Sequence, residues 1–293
     1  MKLTIIVFVL LLINTSINSQ PMFNASSDLI QTEIDFATYA KENGTRDSFL
    51  KFIDDDGILF RPHPVNGKEF LSAQEKRPGF LLWYPSFSVV SKAGDLGFNT
   101  GPWEYKKTAE DTSIAFGNFV TVWKKQKDGS WKFLMDLGNS NEKPSQNIPT
   151  LNPADYKTAK TETDFKYIQE AKDELFKAEI MFSDLSSSQN LKSAYEKYSS
   201  NESIYIRDGN FPLKGNEILW FLESQIENQT WETFGGLVSS SNDLGYTYGK
   251  ITSWKDAEKK KSSHNLYYMR CWYYDNGNWK ILIDVANVIP DSK

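Results

Sequence analysis

The segment Asp95-Leu-Gly-Phe-Asn-Thr-Gly101 decides the fold, because the chain contains it twice. It returns as Asp243-Leu-Gly-Tyr-Thr-Tyr-Gly249, 148 positions further on. At the same spacing, Asp128-Gly-Ser-Trp-Lys-Phe-Leu-Met-Asp136 aligns with Asn276-Gly-Asn-Trp-Lys-Ile-Leu-Ile-Asp284. A constant spacing over so many residues indicates an internal duplication, and two copies of this size are too few and too long for a solenoid.

Two shorter matches extend the repeat towards the beginning of each copy. Gly67-Lys-Glu69 aligns with Gly215-Asn-Glu217, again 148 positions apart. Ile58-Leu-Phe-Arg61 aligns with Ile204-Tyr-Ile-Arg207 at a spacing of 146, so the second copy carries a two-residue insertion. The repeat therefore covers most of each copy and predicts two homologous domains.

The repeat also sets the predicted boundaries. We place the domains at 28–142 and 164–290, and the proline-containing polar segment 143–163 between them is predicted to be a semi-extended linker. Residues 1–19 combine a basic start, a mostly apolar run of 11 residues and a polar end, which is typical of a secretory signal peptide. That run is shorter than the ~20 residues that cross a bilayer. We therefore expect an exported protein, periplasmic or secreted, with no membrane span after cleavage; the alternative is an uncleaved anchor.

The composition excludes several classes of function. The formal net charge is -5 and no basic block is present, which is unfavourable for binding nucleic acid. One cysteine, Cys271, and two distant histidines, His63 and His264, leave little for a disulfide framework or a metal cluster, and no cofactor is expected. The aromatic fraction of 14% favours large apolar cores or aromatic-lined cavities.

Each copy has the same predicted order of elements, with helices first and a run of antiparallel strands after. This order is typical of the α+β class. In the last strand, the alternation predicts a row led by Trp131 on one face and Asp136 on the other; the second copy repeats this with Trp279 and Asp284. Helices packed on a curved sheet leave a conical hollow, which the sheet and the helices would line.

These motifs resemble the SnoaL-like or DUF4440 branch of the NTF2-like superfamily. The resemblance rests on 95–101, on the Gly117-led strand and on the hairpin 128–136, while Asn276 and the His264-led strand depart from it. It implies two NTF2-like cones, each with N-terminal helices on a curved, mostly antiparallel sheet. It also implies a pocket in each cone and pairing of the two cones through their sheets as an internal pseudo-dimer. It implies no single activity, because the fold hosts isomerases, dehydratases, cyclases and binding modules.

The candidate chemical groups are carboxylates and arginines at equivalent positions. Asp136 and Asp284 are candidate catalytic residues, since a carboxylate in an apolar cavity has a raised pKa and can transfer protons; the alternative is a structural role at the strand end. His63 is a candidate general base with Asp136, or a loop histidine. Arg61 and Arg207 close the first strand of each copy and are predicted to bind a ligand carboxylate or to form an internal salt bridge.

A set of aromatic side chains is predicted to line the cavities, the alternative being an ordinary core position. They are Trp83, Tyr84, Trp103, Tyr246, Tyr248 and Trp254.

Three functions follow for such a chain. We expect an exported module that binds a small, mostly apolar ligand in one or both cones. The alternatives are an acid–base enzyme of isomerase, dehydratase or cyclase type in the first domain, and an interaction scaffold with filled cones. The first copy is expected to hold the open pocket, because it holds His63 and keeps the family pattern.

Overall fold

The computed structural model describes residues 25–61, 63–145, 157–158, 163–225, 228–254 and 266–288. The predicted signal peptide, most of the predicted linker and His264 lie outside the described residues. We define the N-terminal unit as the described residues up to Thr158, and the C-terminal unit as those from Thr163 onwards.

The N-terminal unit contains, in chain order, α1 (Ala25–Asn43), α2 (Thr45–Phe52), β1 (Ile53–Phe60), β2 (Pro64–Asn66), α3 (Gly67–Ser72), β3 (Phe80–Trp83), β4 (Phe87–Val90), β5 (Leu96–Lys106), β6 (Ala115–Lys125), β7 (Trp131–Asn141) and β8 (Lys157–Thr158). The C-terminal unit contains α4 (Ile168–Ser188), α5 (Leu191–Tyr198), β9 (Ile204–Arg207), β10 (Leu213–Lys214), α6 (Asn216–Glu223), β11 (Asn228–Val238), β12 (Leu244–Trp254), β13 (Leu266–Asp275) and β14 (Asn278–Val288).

Each unit forms one sheet, and the two sheets follow the same path. The order is β2-β1-β7-β6-β5-β4-β8 in the N-terminal unit, with β3 also paired to β5, and β10-β9-β14-β13-β12-β11 in the C-terminal unit. Most neighbours are antiparallel, while β1–β7, β4–β8 and β9–β14 are parallel. The predicted α+β class, with two units of helices packed on a mostly antiparallel sheet, is confirmed. None of the described helices is both long and apolar enough to cross a membrane.

Several short elements were not predicted. The structure adds β2, β3 and β8 to the N-terminal sheet, and β8 lies inside the predicted linker 143–163. Helix α2 ends at Phe52, and the acidic residues that follow it belong to β1. Strands of two to four residues are too short for an alternating pattern to identify.

The repeated Asp-Leu-Gly motif positions the first helix of each unit on its sheet. A Cβ atom on Gly97 would lie 2.4 Å from Leu29 Cδ2, and one on Gly245 would lie 2.7 Å from Leu175 Cδ2. Both leucines are fully buried. Because real Cβ atoms do not approach other atoms so closely, a larger residue at either position would force its leucine to shift, so the glycines favour this packing of α1 and α4 on β5 and β12.

The last strand of each sheet contains a β-bulge. Along β7 the pairing with β6 shifts between Phe133 and Met135, so Leu134 is the extra residue. The pairing of β14 with β13 shifts in the same way at Leu282. A bulge inverts the side on which the following residues lie, because two residues of one strand oppose a single residue of its neighbour.

The bulge places Asp136 and Asp284 on the opposite face of the sheet from the predicted one. Trp131 packs in the core beneath the helices, whereas Met135 packs on the opposite face of the sheet. Asp136 therefore shares the helix-covered face with Trp131, and Asp284 shares it with Trp279. The prediction that each aspartate lies opposite the tryptophan-led row was wrong.

The faces turned away from the helices pack against each other. One buried cluster contains Phe98, Val120 and Met135 of the N-terminal sheet together with Met269 and Ile283 of the C-terminal sheet. The free thiol of Cys271 is buried in the same cluster. The two units thus share a continuous apolar core between their sheets.

Reciprocal hydrogen bonds join the units at the repeated Asp-Leu-Gly turns. Asp95 Oδ2 accepts from the backbone N–H of Ser240 at 2.9 Å, and Asp243 Oδ2 accepts from that of Lys92 at 2.8 Å. The other carboxylate oxygen of each accepts from the hydroxyl of a serine four residues earlier in its own turn. The contact is therefore made by the same residue positions on both sides, as in an isologous dimer interface.

Candidate functional site

The N-terminal unit contains a large hollow between its sheet and its helices. Two adjoining cavities of about 1300 and 240 Å³ form its mouth and its inner part. Residues that line both are Phe49, Arg61, Leu81, Asp136, Ser140 and Asn287. Because the two cavities share these residues, the mouth leads directly into the inner part.

Five aromatic rings line the inner part. They come from α1, α2, β3, β5 and β6, and they are Phe36, Phe49, Trp83, Trp103 and Phe119. Among the residues that line this inner part, the charged ones are Arg61 and Asp136. The hollow therefore combines an apolar body with one cation and one carboxylate, which is typical of a small-molecule site.

Asp136 is the carboxylate that faces the hollow. Its Oδ2 atom accepts a hydrogen bond from Thr121 Oγ1 at 2.9 Å. Burial raises the pKa of Asp136 to about 6, although the Thr121 hydroxyl and the positive charge of Arg61 act in the opposite direction. Near neutral pH this side chain can therefore hold or release a proton.

Glu33 is a second carboxylate beside the hollow, and it was not among the predicted site residues. It lies on α1, is fully buried, and accepts hydrogen bonds from Trp83 Nε1 and Trp123 Nε1, both at 2.8 Å, and from Asn99 Nδ2 at 3.0 Å. Burial raises the pKa of Glu33 to about 7, against the effect of these donors. A signal was present in the sequence, because Glu33 interrupts the apolar face that Leu29 begins on α1.

Arg61 is the cation that lines the inner part of the hollow, and it has no ion pair with another described residue. It follows β1 and donates from Nη1 to the carbonyl oxygen of Phe60 at 2.6 Å. Burial lowers the pKa of Arg61, and the nearby charge of Arg77 lowers it further, although Asp136 raises it. Arg46 and Arg77 line the mouth as well, so three guanidinium groups border the hollow.

The C-terminal unit completes the mouth. Asp208 and Asn287 are among its lining residues. Asp208 Oδ1 accepts from the backbone N–H of Ser140 at 2.8 Å, and the N–H of Gly209 donates to the Ser140 carbonyl at 2.8 Å. Asn287 Nδ2 donates to the carbonyl of Gly138 at 2.6 Å. The site therefore depends on the turn after β9 as well as on the N-terminal unit.

In the C-terminal unit, Arg270 occupies the position equivalent to Thr121. Thr121 lies opposite Asn99 in its sheet, and Arg270 lies opposite Thr247, 148 positions after Asn99. Arg270 is fully buried, donates from Nε to Asp284 Oδ2 at 2.6 Å, and donates from Nη1 to Glu179 Oε1 at 2.5 Å. Its guanidinium group thus bridges the two carboxylates beneath α4.

Aromatic rings enclose this guanidinium group. The Arg270 Cζ atom lies 3.8 Å from the ring centroid of Phe182 and 4.1 Å from that of Trp231. These rings are the counterparts of Phe36 and Trp83 in the N-terminal unit, which contact each other at 4.8 Å. The space that the inner part of the hollow would occupy in the C-terminal unit is therefore filled by the chain itself.

The predicted candidates Asp284 and Arg207 belong to this internal network. Arg207 Nη2 donates to Asp284 Oδ1 at 2.7 Å, and Tyr195 Oη donates to Asp284 Oδ2 at 2.7 Å. Burial raises the pKa of Asp284, but Arg207 and Arg270 outweigh that effect and hold it below its ordinary value. Burial raises the pKa of Glu179 despite the charge of Arg270.

His63 does not join Asp136 in the structure. Its Nδ1 atom lies 2.5 Å from the Tyr267 hydroxyl of the C-terminal unit, and His63 is not among the residues that line the hollow. The predicted acid–base pair of Asp136 and His63 is therefore not formed, because the loop after β1 turns towards the other unit.

The predicted aromatic residues divide between the hollow and the rest of the molecule. Trp83 and Trp103 line the inner part. Tyr246 is buried in the cluster between the sheets and Tyr248 packs against it, because the alternation along β12 directs both towards the N-terminal sheet. Tyr84 and Trp254 do not line the hollow.

Within the described residues, no group of three or more histidine, cysteine, aspartate or glutamate side chains is placed to hold a metal ion. No family model and no curated protein matches this chain.

Solved structures that match part of this chain include NTF2-like and cystatin-like proteins. An NTF2-like protein of unknown function from Prochlorococcus marinus is 12% identical and covers 41% of this chain and 94% of its own, with a TM-score of 0.34. An NTF2-like protein with a cystatin-like fold from Novosphingobium aromaticivorans is 11% identical and covers 42% and 85%, with a TM-score of 0.35. An NTF2-like protein from Cytophaga hutchinsonii is 13% identical and covers 42% and 95%, with a TM-score of 0.30.

Proposed function

We propose that the chain binds a small, mostly apolar molecule in the hollow of its N-terminal unit. The observation that carries this proposal is the aromatic inner part, which opens through a wide mouth and contains Arg61 and Asp136 as its charged lining residues. Burying apolar ligand surface against these rings supplies binding energy, and the two charged groups orient the ligand. In the C-terminal unit, the buried Arg270 replaces such a ligand.

The wider organisation of the chain is part of the same proposal. We infer a tandem of SnoaL-like domains at 28–142 and 164–290, joined by 143–163 and exported by a signal peptide at 1–19. The constant spacing of the repeated motifs supports the tandem. The reciprocal hydrogen bonds and the shared apolar cluster support an internal pseudo-dimer of the two units. Export to the periplasm or the medium rests on the composition of the first residues alone.

Native mass spectrometry of the mature protein from its own host tests ligand binding. We expect one bound molecule per chain, which denaturation releases for identification. Ser140→Trp, which places a bulky ring where the mouth meets the inner part, should abolish the bound mass. Glu110→Trp, at an exposed position outside the hollow, should retain it. A ligand-free mass for every preparation, together with no binding of an apolar dye, would overturn the proposal.

An acid–base enzyme is the second candidate, and the raised pKa of Asp136 favours it. In this version Asp136 removes a proton from carbon beside a carbonyl group and returns it at another position. The released molecule distinguishes the two candidates. Incubation with the protein in D₂O would exchange its carbon-bound protons if the protein is an enzyme, and Asp136→Asn would stop the exchange without removing the bound mass.

A further inference from the structure

We propose that the molecule bound in the hollow is an apolar carboxylic acid, whose carboxylate pairs with Arg61 while its body lies among the aromatic rings of the inner part. This inference rests on the proposed function and names the class of its ligand.

The equivalent arginines Arg207 and Arg61 differ in their hydrogen-bond partners. Arg207 donates to Asp284 Oδ1 at 2.7 Å, to the Asp284 carbonyl at 3.0 Å and to Tyr195 Oη at 3.1 Å. Arg61 has one hydrogen bond to a described residue, the Phe60 carbonyl, and no ion pair among them. A guanidinium group has five N–H donors in a planar fork that matches a carboxylate. In the C-terminal unit, Asp284 is thus the carboxylate partner that Arg61 lacks among the described residues.

Other charged side chains lie around Arg61 at the mouth and in the inner part of the hollow. Arg77 also lines the mouth and acts electrostatically on Arg61, so an anion placed between them gains from both. The acidic groups that oppose an anion are Glu75 and Glu142 at the mouth, Asp208 on its rim, and Asp136 within the inner part. Among these, Asp136 is the one that also lines the inner part, so the ligand carboxylate must be compatible with it.

Proton uptake by Asp136 provides that compatibility. The groups that act on it from the neighbouring elements are Thr121 on β6, Arg61 after β1 and Glu33 on α1. When an anion binds, its charge favours protonation of Asp136, and the resulting O–H can donate to the ligand carboxylate. One proton passes from a protonated buffer or hydronium ion to Asp136, so its bond to that donor breaks, an O–H bond forms on the carboxylate, and no bond between heavy atoms changes. The bound carboxylate then accepts hydrogen bonds from Arg61 and from Asp136.

Isothermal titration calorimetry with a matched pair of probes tests the inference on the full mature chain. The probes are 3-phenylpropionate and its neutral amide, 3-phenylpropionamide, which share an apolar body. At pH 7.5 we expect the acid to bind about tenfold or more tightly than the amide, since a hydrogen-bonded charge pair is worth ~1.5–3 kcal/mol. Titration in buffers of different ionisation enthalpy should show proton uptake with the acid and none with the amide.

Two variants assign the effect to its residues. Arg61→Gln should weaken the acid by about tenfold or more and leave the amide unchanged. Asp136→Asn, which removes the competing charge, should strengthen the acid by about tenfold and abolish proton uptake. Urea unfolding of each variant checks that it is folded. Arg61→Lys, which keeps the charge but loses the fork, should give an intermediate affinity if Arg61→Gln is unstable.

Equal affinity for the acid and the amide, or an Arg61 variant that binds the acid like the wild type, would overturn the inference. A bound natural molecule without a carboxyl group would do the same while leaving the proposed function intact. If the protein is ligand-free by native mass spectrometry and neither probe nor dye binds, the proposed function itself fails.

Discussion

The N-terminal and C-terminal units place the same residue positions on the same elements but use them in opposite ways. The equivalent pairs are Glu33 and Glu179, Arg61 and Arg207, Thr121 and Arg270, and Asp136 and Asp284. Three of the four pairs keep their residue type. The pair of Thr121 and Arg270 differs, and with it one unit holds an open hollow while the other holds a buried ion-pair network.

The difference shows how paired cations control the chemistry of a cone. Burial acts on both aspartates, and the Thr121 hydroxyl is too weak to oppose it, so the pKa of Asp136 rises to about 6. In the C-terminal unit two guanidinium groups contact Asp284, and its pKa falls below the ordinary value. The same carboxylate position is therefore a proton-binding group in one unit and a fixed anion in the other.

Removing the Arg270 cation should have the largest effect, because it disrupts the buried ion-pair network that distinguishes the C-terminal unit. Arg270→Met leaves Glu179 buried without its ion-pair partner and Asp284 with Arg207, and we expect the free energy of unfolding to fall by about 3–5 kcal/mol. Urea unfolding at pH 7 measures this change. Lys192→Met removes a cation from exposed pairs with Glu196 and Glu223 and should cost less than about 1 kcal/mol. Equal losses for both variants would show that the buried network does not stabilise the C-terminal unit.

Adding the cation to the other unit should convert its open hollow into a filled one. Thr121→Arg places a guanidinium group between Asp136 and Glu33, where Arg270 lies in the C-terminal unit, and we expect the affinity for the bound molecule to fall about 100-fold or more. Fluorescence of the tryptophans that line the inner part follows the binding. Thr121→Val keeps the size and removes one hydrogen bond, so it should retain most of the affinity. Unchanged binding in the arginine variant would show that the residue at position 121 does not decide whether the cone is filled.

A smaller effect should appear in the pH dependence of stability, through Glu33. Its pKa is about 7 in the folded chain and 4.5 ordinarily, so between these values the folded state binds more protons than the unfolded state. The free energy of unfolding should therefore fall as pH rises through this window, by up to about 3 kcal/mol, and level off above it.

The matched comparison is Glu33→Leu, which cannot titrate. We expect the wild type to lose about 2–3 kcal/mol more than this variant between pH 5 and pH 8 in urea unfolding experiments. The fall that Asp136 contributes has the same sign and is present in both proteins, so the difference belongs to Glu33. Parallel pH profiles would mean that Glu33 is ionised in the folded chain across the whole range.

Much of the fold was predictable because it depends on local patterns and on repetition. The repeated motifs indicated two similar units, and helices followed by alternating strands indicated the α+β class. The repeated Asp-Leu-Gly motif includes Gly97, which makes room for the Leu29 side chain. The recurrence of Arg61 as Arg207 marked a shared position, with a ligand or an internal salt bridge left open. The structure has the salt bridge in the second copy, while Arg61 has no such partner among the described residues.

The candidate site was predicted less well. Asp136, Arg61, Trp83 and Trp103 line the hollow, but His63 contacts the C-terminal unit instead. Glu33 and Arg270 were missed, although Glu33 interrupts the apolar face of α1. Their importance depends on partners that are distant in the sequence, such as Asn99, 66 positions from Glu33, and Glu179, 91 positions from Arg270.

The sequence by itself determined the repeated motifs, the fold class and the residue types at the repeated positions. Only the tertiary structure decided which face each side chain occupies after the bulge at Leu134, and which of two equivalent cones is open. The physical reason is that alternation holds only while strand pairing is regular, and a bulge is set by the partner strand. The state of each cone depends on a charge balance among residues that meet only when helix and sheet pack together.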